Sequence, residues 1–132
     1  MGKVSLLQAI DHPAVNSAIF FPRPATGLPA PPGSEDLRIP VGGGVSVAAR
    51  YHPADLSGPT VLHFHGNGEI VPDYDDIAPA FLSAGASLVS ADYRGYGSCT
   101  GSPSASSLIN DAPVVLDHVI AFLAERGHTG PL

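Results

Sequence analysis

The stretch Val61-Leu62-His63-Phe64-His65-Gly66-Asn67-Gly68 decides how the rest of this sequence reads. A short apolar run breaks there into a glycine-rich loop. A second run, Ala86-Ser87-Leu88-Val89-Ser90-Ala91, breaks in the same way at Asp92-Tyr93-Arg94-Gly95-Tyr96-Gly97. Short apolar runs of this kind predict strands buried on both faces, here Thr60 to Phe64 and Ser87 to Ala91. Between them, Asp73 to Ala84 predicts a helix with Ile77, Ala80, Phe81 and Ala84 on one face and Gly85 as its C-terminal cap. Pro79 shortens or bends that helix. Strand, helix and strand make a βαβ unit, so both loops leave the sheet at the same end. Open α/β sheets carry their chemistry at that end.

Working outward, Leu37-Arg38-Ile39 and Val45 to Tyr51 flank a Gly42-Gly43-Gly44 turn and predict an antiparallel hairpin. Residues 1–40 hold seven of the 14 prolines. Pro22 to Pro32 reads as a surface connector, and Val15 to Phe21 as a short strand or docking segment. Downstream, Ser104 to Arg126 predicts a helix. Val115, Leu116, Val119, Ile120, Phe122 and Leu123 form its apolar stripe, Asp111 caps it, Pro113 lies in its first turn and Gly127 ends it. Thr129 to Leu132 looks like the approach to another strand.

The chain has 132 residues, 44% hydrophobic and 14% charged, which is the balance of one globular domain. Its formal net charge is −6 with no basic cluster, which argues against nucleic acid as a partner. No apolar run reads as a membrane span, and the N-terminus lacks the pattern of a signal peptide. Cys99 is the single cysteine, so no intrachain disulfide forms. A reducing, cytoplasmic setting fits that count.

A Gly-rich turn after a strand frees backbone N–H groups and lets a substrate approach closely, as the oxyanion of an acyl transfer requires. With His65-Gly66-Asn67-Gly68 followed at this spacing by Asp92-Tyr93-Arg94-Gly95-Tyr96-Gly97, residues 35–128 resemble the N-terminal part of an α/β-hydrolase-fold serine hydrolase. The serine-aminopeptidase and lysophospholipase-like branch is the nearest in pattern. The resemblance implies an α/β fold with a mostly parallel sheet, an antiparallel N-terminal hairpin and flanking helices. It divides the chain into a Pro-rich extension over 1–34 and a hydrolase portion over 35–132 that stops before the nucleophile. It implies that the Asn67 main-chain N–H belongs to the oxyanion hole, whatever its side chain. Gly66 and Gly68 then adjoin the substrate, while His65, Asp92 and Arg94 hold the loops. Further implications are a small ester, amide or thioester substrate for the complete protein, and no cofactor.

No Gly-x-Ser-x-Gly occurs in the sequence. The triad serine, acid and histidine of the family are expected beyond Leu132, so the chain alone is expected to be inactive. Gly97-Ser98-Cys99-Thr100-Gly101 imitates a nucleophile turn, but it follows a loop instead of a strand, and Cys99 reads as a loop cysteine. His63 and His65 share one face of a strand, as in metal-dependent hydrolases, yet no third ligand follows closely and no metal is expected. His12, His52, His118 and His128 read as surface residues. Asp73, Asp75 and Asp76 read as acids at a helix N-terminus. The rival reading is a non-catalytic split or truncated module acting through a partner. An unpaired strand at Thr60 to Phe64 would make self-association one such route.

Overall fold

The computed structural model of the chain describes residues 5–25, 27 and 29–132. Two short helices come first, α1 (Leu6–Ile10) and α2 (Pro13–Ile19). The hairpin β1 (Glu35–Gly42) and β2 (Val45–His52) follows, then β3 (Thr60–Phe64), α3 (Ala78–Ser83), β4 (Ser87–Ala91) and α4 (Ala105–Glu125). The sheet runs β1-β2-β4-β3. β1 and β2 are antiparallel, as are β2 and β4, whereas β3 and β4 are parallel, with Phe64 beside Ala91. The loops after β3 and β4 therefore emerge side by side.

One sheet face carries the main core. Leu37, Ile39, Val47, Ala49, Tyr51, Val89 and Ala91 pack against Val115, Val119, Phe122 and Leu123 of α4. The Tyr51 and Phe122 rings meet edge to face at 5.1 Å. α4 is long and apolar enough to cross a membrane by length and composition alone. Its apolarity has a core function here, because Val115, Val119, Phe122 and Leu123 are buried on the sheet. Leu116 and Ile120, from the same expected stripe, remain 40% and 49% exposed.

Several local expectations are corrected. Of the two readings of Val15 to Phe21 the strand is corrected: the segment is mostly helix, because Pro13 opens α2 and the His12 ring accepts from the Ala14 N–H at 3.2 Å. Asp73 to Ala84 is not one helix. A 3₁₀ turn covers Val71–Tyr74, and α3 starts only at Ala78 with Pro79 in its first turn. Proline restricts the residue before it and lacks an N–H, so it favours a helix start over a helix interior. The face proposed for this helix is not the buried one: Ala78 is buried and Ile77 is exposed. Gly85 does end α3, at φ +79°.

At α4 the cap is Ser104, whose hydroxyl accepts from the Ser107 N–H at 3.0 Å, not Asp111. Asp111 and Pro113 lie inside the helix. His52 is buried, not at the surface, with its Nε2 3.4 Å from Asp75. β4 is buried throughout, as expected, but Val61 and Phe64 of β3 are 36% and 38% exposed. Among the described residues β3 has one neighbouring strand, so it lies at the edge of the sheet.

Candidate active site

The two loops are locked together by a buried pair. The His65 and Asp92 side chains are almost fully buried, with Nε2 to Oδ1 at 2.7 Å. His65 Nδ1 lies 2.8 Å from the Gly66 carbonyl oxygen. Both partners are acceptors, so both ring nitrogens carry hydrogen in the imidazolium form. Burial pulls the His65 pKa down, but the bonds to Asp92 and to Gly66 outweigh it and the net shift is upward. Asp92 Oδ1 also accepts from the Val71 N–H at 2.9 Å, which ties the 3₁₀ turn to the same point.

Tyrosines finish the frame. The Tyr93 hydroxyl donates to the His65 carbonyl at 2.6 Å, and its ring meets the imidazole edge-on at 4.6 Å. Tyr96 is fully buried, and its hydroxyl donates to Asn67 Oδ1 at 2.7 Å. Gly97 sits at φ +58°, and a Cβ there would stand 2.3 Å from Asp92 Oδ2. This position therefore needs glycine twice over, for backbone and for space.

Along His65-Gly66-Asn67-Gly68, the donors differ in their occupation. The Gly66 N–H is taken by Glu69 Oε2 at 2.6 Å, and that same oxygen accepts from the Tyr74 hydroxyl at 2.6 Å. No hydrogen-bond acceptor for the Asn67 main-chain N–H is found among the described residues. The Asn67 side chain, by contrast, is fully engaged. Its Oδ1 accepts from the Phe21 N–H at 3.0 Å as well as from Tyr96, and its Nδ2 donates to the Ile19 carbonyl at 2.6 Å. The expectation that this side chain need not be special is corrected. Nothing in the local sequence signalled it, because its partners lie 29 to 48 residues away.

Arg94, expected to hold a loop, pairs bidentately with Asp111 of α4 at 2.6 and 2.8 Å. Asp73 caps the Ile70 N–H at 3.0 Å and pairs with Arg23 at 2.7 Å. Asp75 accepts from the buried Arg50 at 2.6 Å, and Asp36 takes the other side of the same guanidinium at 2.6 Å. These acids thus act through specific partners more than through a helix end. His63 does not join His65 in a ligand pair: its ring lies 4.2 Å from that of Tyr74, while both His65 nitrogens are occupied. Among the described residues no three His, Cys, Asp or Glu side chains converge as a metal set.

No protein-family model matches the chain. It is 27% identical over 121 residues to the uncharacterized protein YfhR of Salmonella typhi, covering 88% of this chain and 41% of that one. The chain therefore spans about two fifths of the length of this curated relative. The crystal structure of an alpha-beta hydrolase from Vibrio vulnificus superposes with a TM-score of 0.57 at 24% identity, over 67% of this chain and 30% of that chain. EstE1, a thermostable carboxylesterase cloned from a metagenomic library, superposes with a TM-score of 0.58 at 25% identity, over 92% and 40%. The chain has part of an α/β-hydrolase fold.

Within an α/β-hydrolase fold the position of Cys99 can be judged by chemistry. Its Sγ accepts from the Ala48 N–H at 3.0 Å, and burial pushes its pKa up to about 12. A thiol held protonated in this way is a poor nucleophile.

Proposed function

We propose that this chain supplies the oxyanion-hole loop of a serine hydrolase that cleaves a small ester, amide or thioester. The observation that carries the reading is the Asn67 peptide. Its N–H has no partner among the described residues, while the peptide's own side chain and both adjoining loops are fixed. A donor held in place before charge develops stabilises a tetrahedral oxyanion without reorganising, and loss of one such donor costs ~10²–10³ in kcat. The carboxylesterase neighbour supports acyl hydrolysis as the chemistry. The serine, acid and histidine would come from chain beyond Leu132, with the serine on a Gly-x-Ser-x-Gly turn beside β3.

Reading the coding sequence past Leu132, followed by assay of the product on p-nitrophenyl butyrate, tests this. Continuation into Gly-x-Ser-x-Gly with turnover that is lost on replacing that serine is the expected result. A stop codon directly after Leu132, with no turnover in cell extracts containing the chain, would favour the non-catalytic module instead.

A further inference from the structure

Asn67-Gly68 is the one Asn-Gly pair in the sequence, and the other asparagines, Asn16 and Asn110, lie within α2 and α4. An asparagine followed by glycine is open to attack on its own side chain, because glycine has no Cβ to hinder its main-chain nitrogen. The Gly68 nitrogen forms a bond to Asn67 Cγ and its proton passes to solvent. The Cγ–Nδ2 bond breaks as Nδ2 takes up a proton and leaves as ammonia. Water then opens the resulting succinimide at either carbonyl, which gives aspartate or isoaspartate without oxidation or reduction. Asn67 is exposed, so water reaches it.

The fold sets a guard on this reaction. Nδ2 donates to the Ile19 carbonyl at 2.6 Å, while Oδ1 accepts from the Phe21 N–H at 3.0 Å and from the Tyr96 hydroxyl at 2.7 Å. The Arg23 guanidinium donates to the Gly68 carbonyl at 2.9 Å and pairs with Asp73 at 2.7 Å, which holds Gly68 as well. The Arg23 carbonyl accepts from the Gly97 N–H at 2.7 Å, so the same segment is fastened to the loop after β4. Closing a five-membered ring swings Cγ away from a staggered position and towards the Gly68 nitrogen, so the three side-chain bonds have to break first. We infer that Asn67 is a self-modification site: the docking of residues 19–23 sets its rate of deamidation, and the product releases them. The release follows from donor and acceptor chemistry. A carboxylate still accepts from Phe21 and Tyr96, but it sets an oxygen against the Ile19 carbonyl where Nδ2 had donated. Two acceptors with no hydrogen between them repel. Isoaspartate also inserts a methylene into the main chain there. Every reacting atom other than water belongs to the loop, so the step proceeds whatever the activity of the chain.

Peptide mass spectrometry on the chain, aged at mildly alkaline pH, reads the conversion at each asparagine. Asn67 is expected to convert about tenfold or more slowly in the folded chain than in the urea-unfolded chain, since three hydrogen bonds of ordinary net strength amount to at least that factor. Phe21→Pro removes one donor to Oδ1 and suits the extended backbone of Phe20 before it; Tyr96→Phe removes the other donor. Each should speed Asn67 about threefold or more and leave Asn16 and Asn110 unchanged. Asn67→Asp stands for the product. It should speed hydrogen exchange at the Gly97 amide, whose acceptor is the Arg23 carbonyl, by about threefold or more. A thermal melt identifies the variants that fold. Where neither donor variant folds, the folded and unfolded wild-type rates decide the guard, and aged wild type supplies the product if Asn67→Asp does not fold. Equal Asn67 rates in the folded and unfolded wild type overturn the guard, and no conversion in the unfolded chain overturns the site. An Asn67 rate unchanged in folded Phe21→Pro overturns the role of residues 19–23. Unchanged exchange at Gly97 in the product overturns the release.

Discussion

His65 shows what burial does to a residue whose type was plain from the sequence. Its two acceptor partners, Asp92 and the Gly66 carbonyl, favour the imidazolium and raise its pKa in the fold. A group with a raised folded pKa contributes stability that is fully present below its unfolded value, ~6.5, and lost as pH rises through the folded value. Melting temperature should therefore fall as pH is raised from about 6.5 upward. The slope should flatten in His65→Asn, which should itself cost roughly 2–4 kcal/mol by removing the charged partner of a buried carboxylate. Calorimetry across that pH range measures both. Cys99 makes the opposite case, since a raised thiol pKa leaves it protonated at neutral pH. The chain should show no p-nitrophenyl acetate hydrolysis above background, and Cys99→Ser should change nothing. Turnover abolished by that substitution would promote Cys99 to nucleophile.

Among the elements, α4 contains the clearest compromise between local rule and tertiary use. Pro113 sits inside it, where a missing N–H and a ring clash cost a helix up to ~3 kcal/mol. Pro113 is exposed, so little packing depends on it. Pro113→Ala should accordingly stabilise the chain by roughly 1–2 kcal/mol, read as a higher urea midpoint at unchanged slope. Two residues earlier, Asp111 holds Arg94 through two bonds, with both side chains mostly buried. Asp111→Ala should cost roughly 2–3 kcal/mol, because the guanidinium stays behind without its partner. Asp111→Asn should recover part of that loss, since it can still accept one of the two bonds. A loss no larger than that of an exposed surface substitution would mean that Arg94 finds water or another acceptor.

At the scale of the whole molecule, the sheet has one face covered by α4 and one edge at β3. Val61 and Phe64 on that edge are partly exposed, and so are Leu116 and Ile120 on α4. The Thr60 N–H already donates to the Pro131 carbonyl at 2.8 Å, so the end of the described chain comes alongside the start of β3. We expect the 132-residue chain to self-associate through β3, because a flat apolar edge recruits other strands. Each 100 Å² of apolar surface left uncovered forfeits ~2.5 kcal/mol, a large part of the ~5–15 kcal/mol that stabilises a small domain. Light scattering should show concentration-dependent oligomers, reduced by Val61→Lys. A monomer with a sharp cooperative thermal transition, unaffected by Val61→Lys, would mean that the edge is harmless.

The sequence by itself determined the βαβ unit, the hairpin before it and the meeting of the two Gly-rich loops. Those features rest on local physics: apolar runs of strand length, glycines that permit turns, and a connection long enough for a parallel crossover. The Asn67 peptide, by contrast, is singled out only by the resemblance of the two loops to the hydrolase family. Tertiary structure decided the rest. The end of α2 and the residues after it, together with Tyr96, gave the Asn67 side chain its partners. Likewise the pairings of Arg94 with Asp111 and of Arg50 with Asp36 and Asp75 depend on elements brought together from 14 to 25 residues apart. Periodicity and turn chemistry act over a few residues and fix where elements begin. Which hydrogen bonds a buried side chain makes depends on what the fold sets against it, and no local pattern records that.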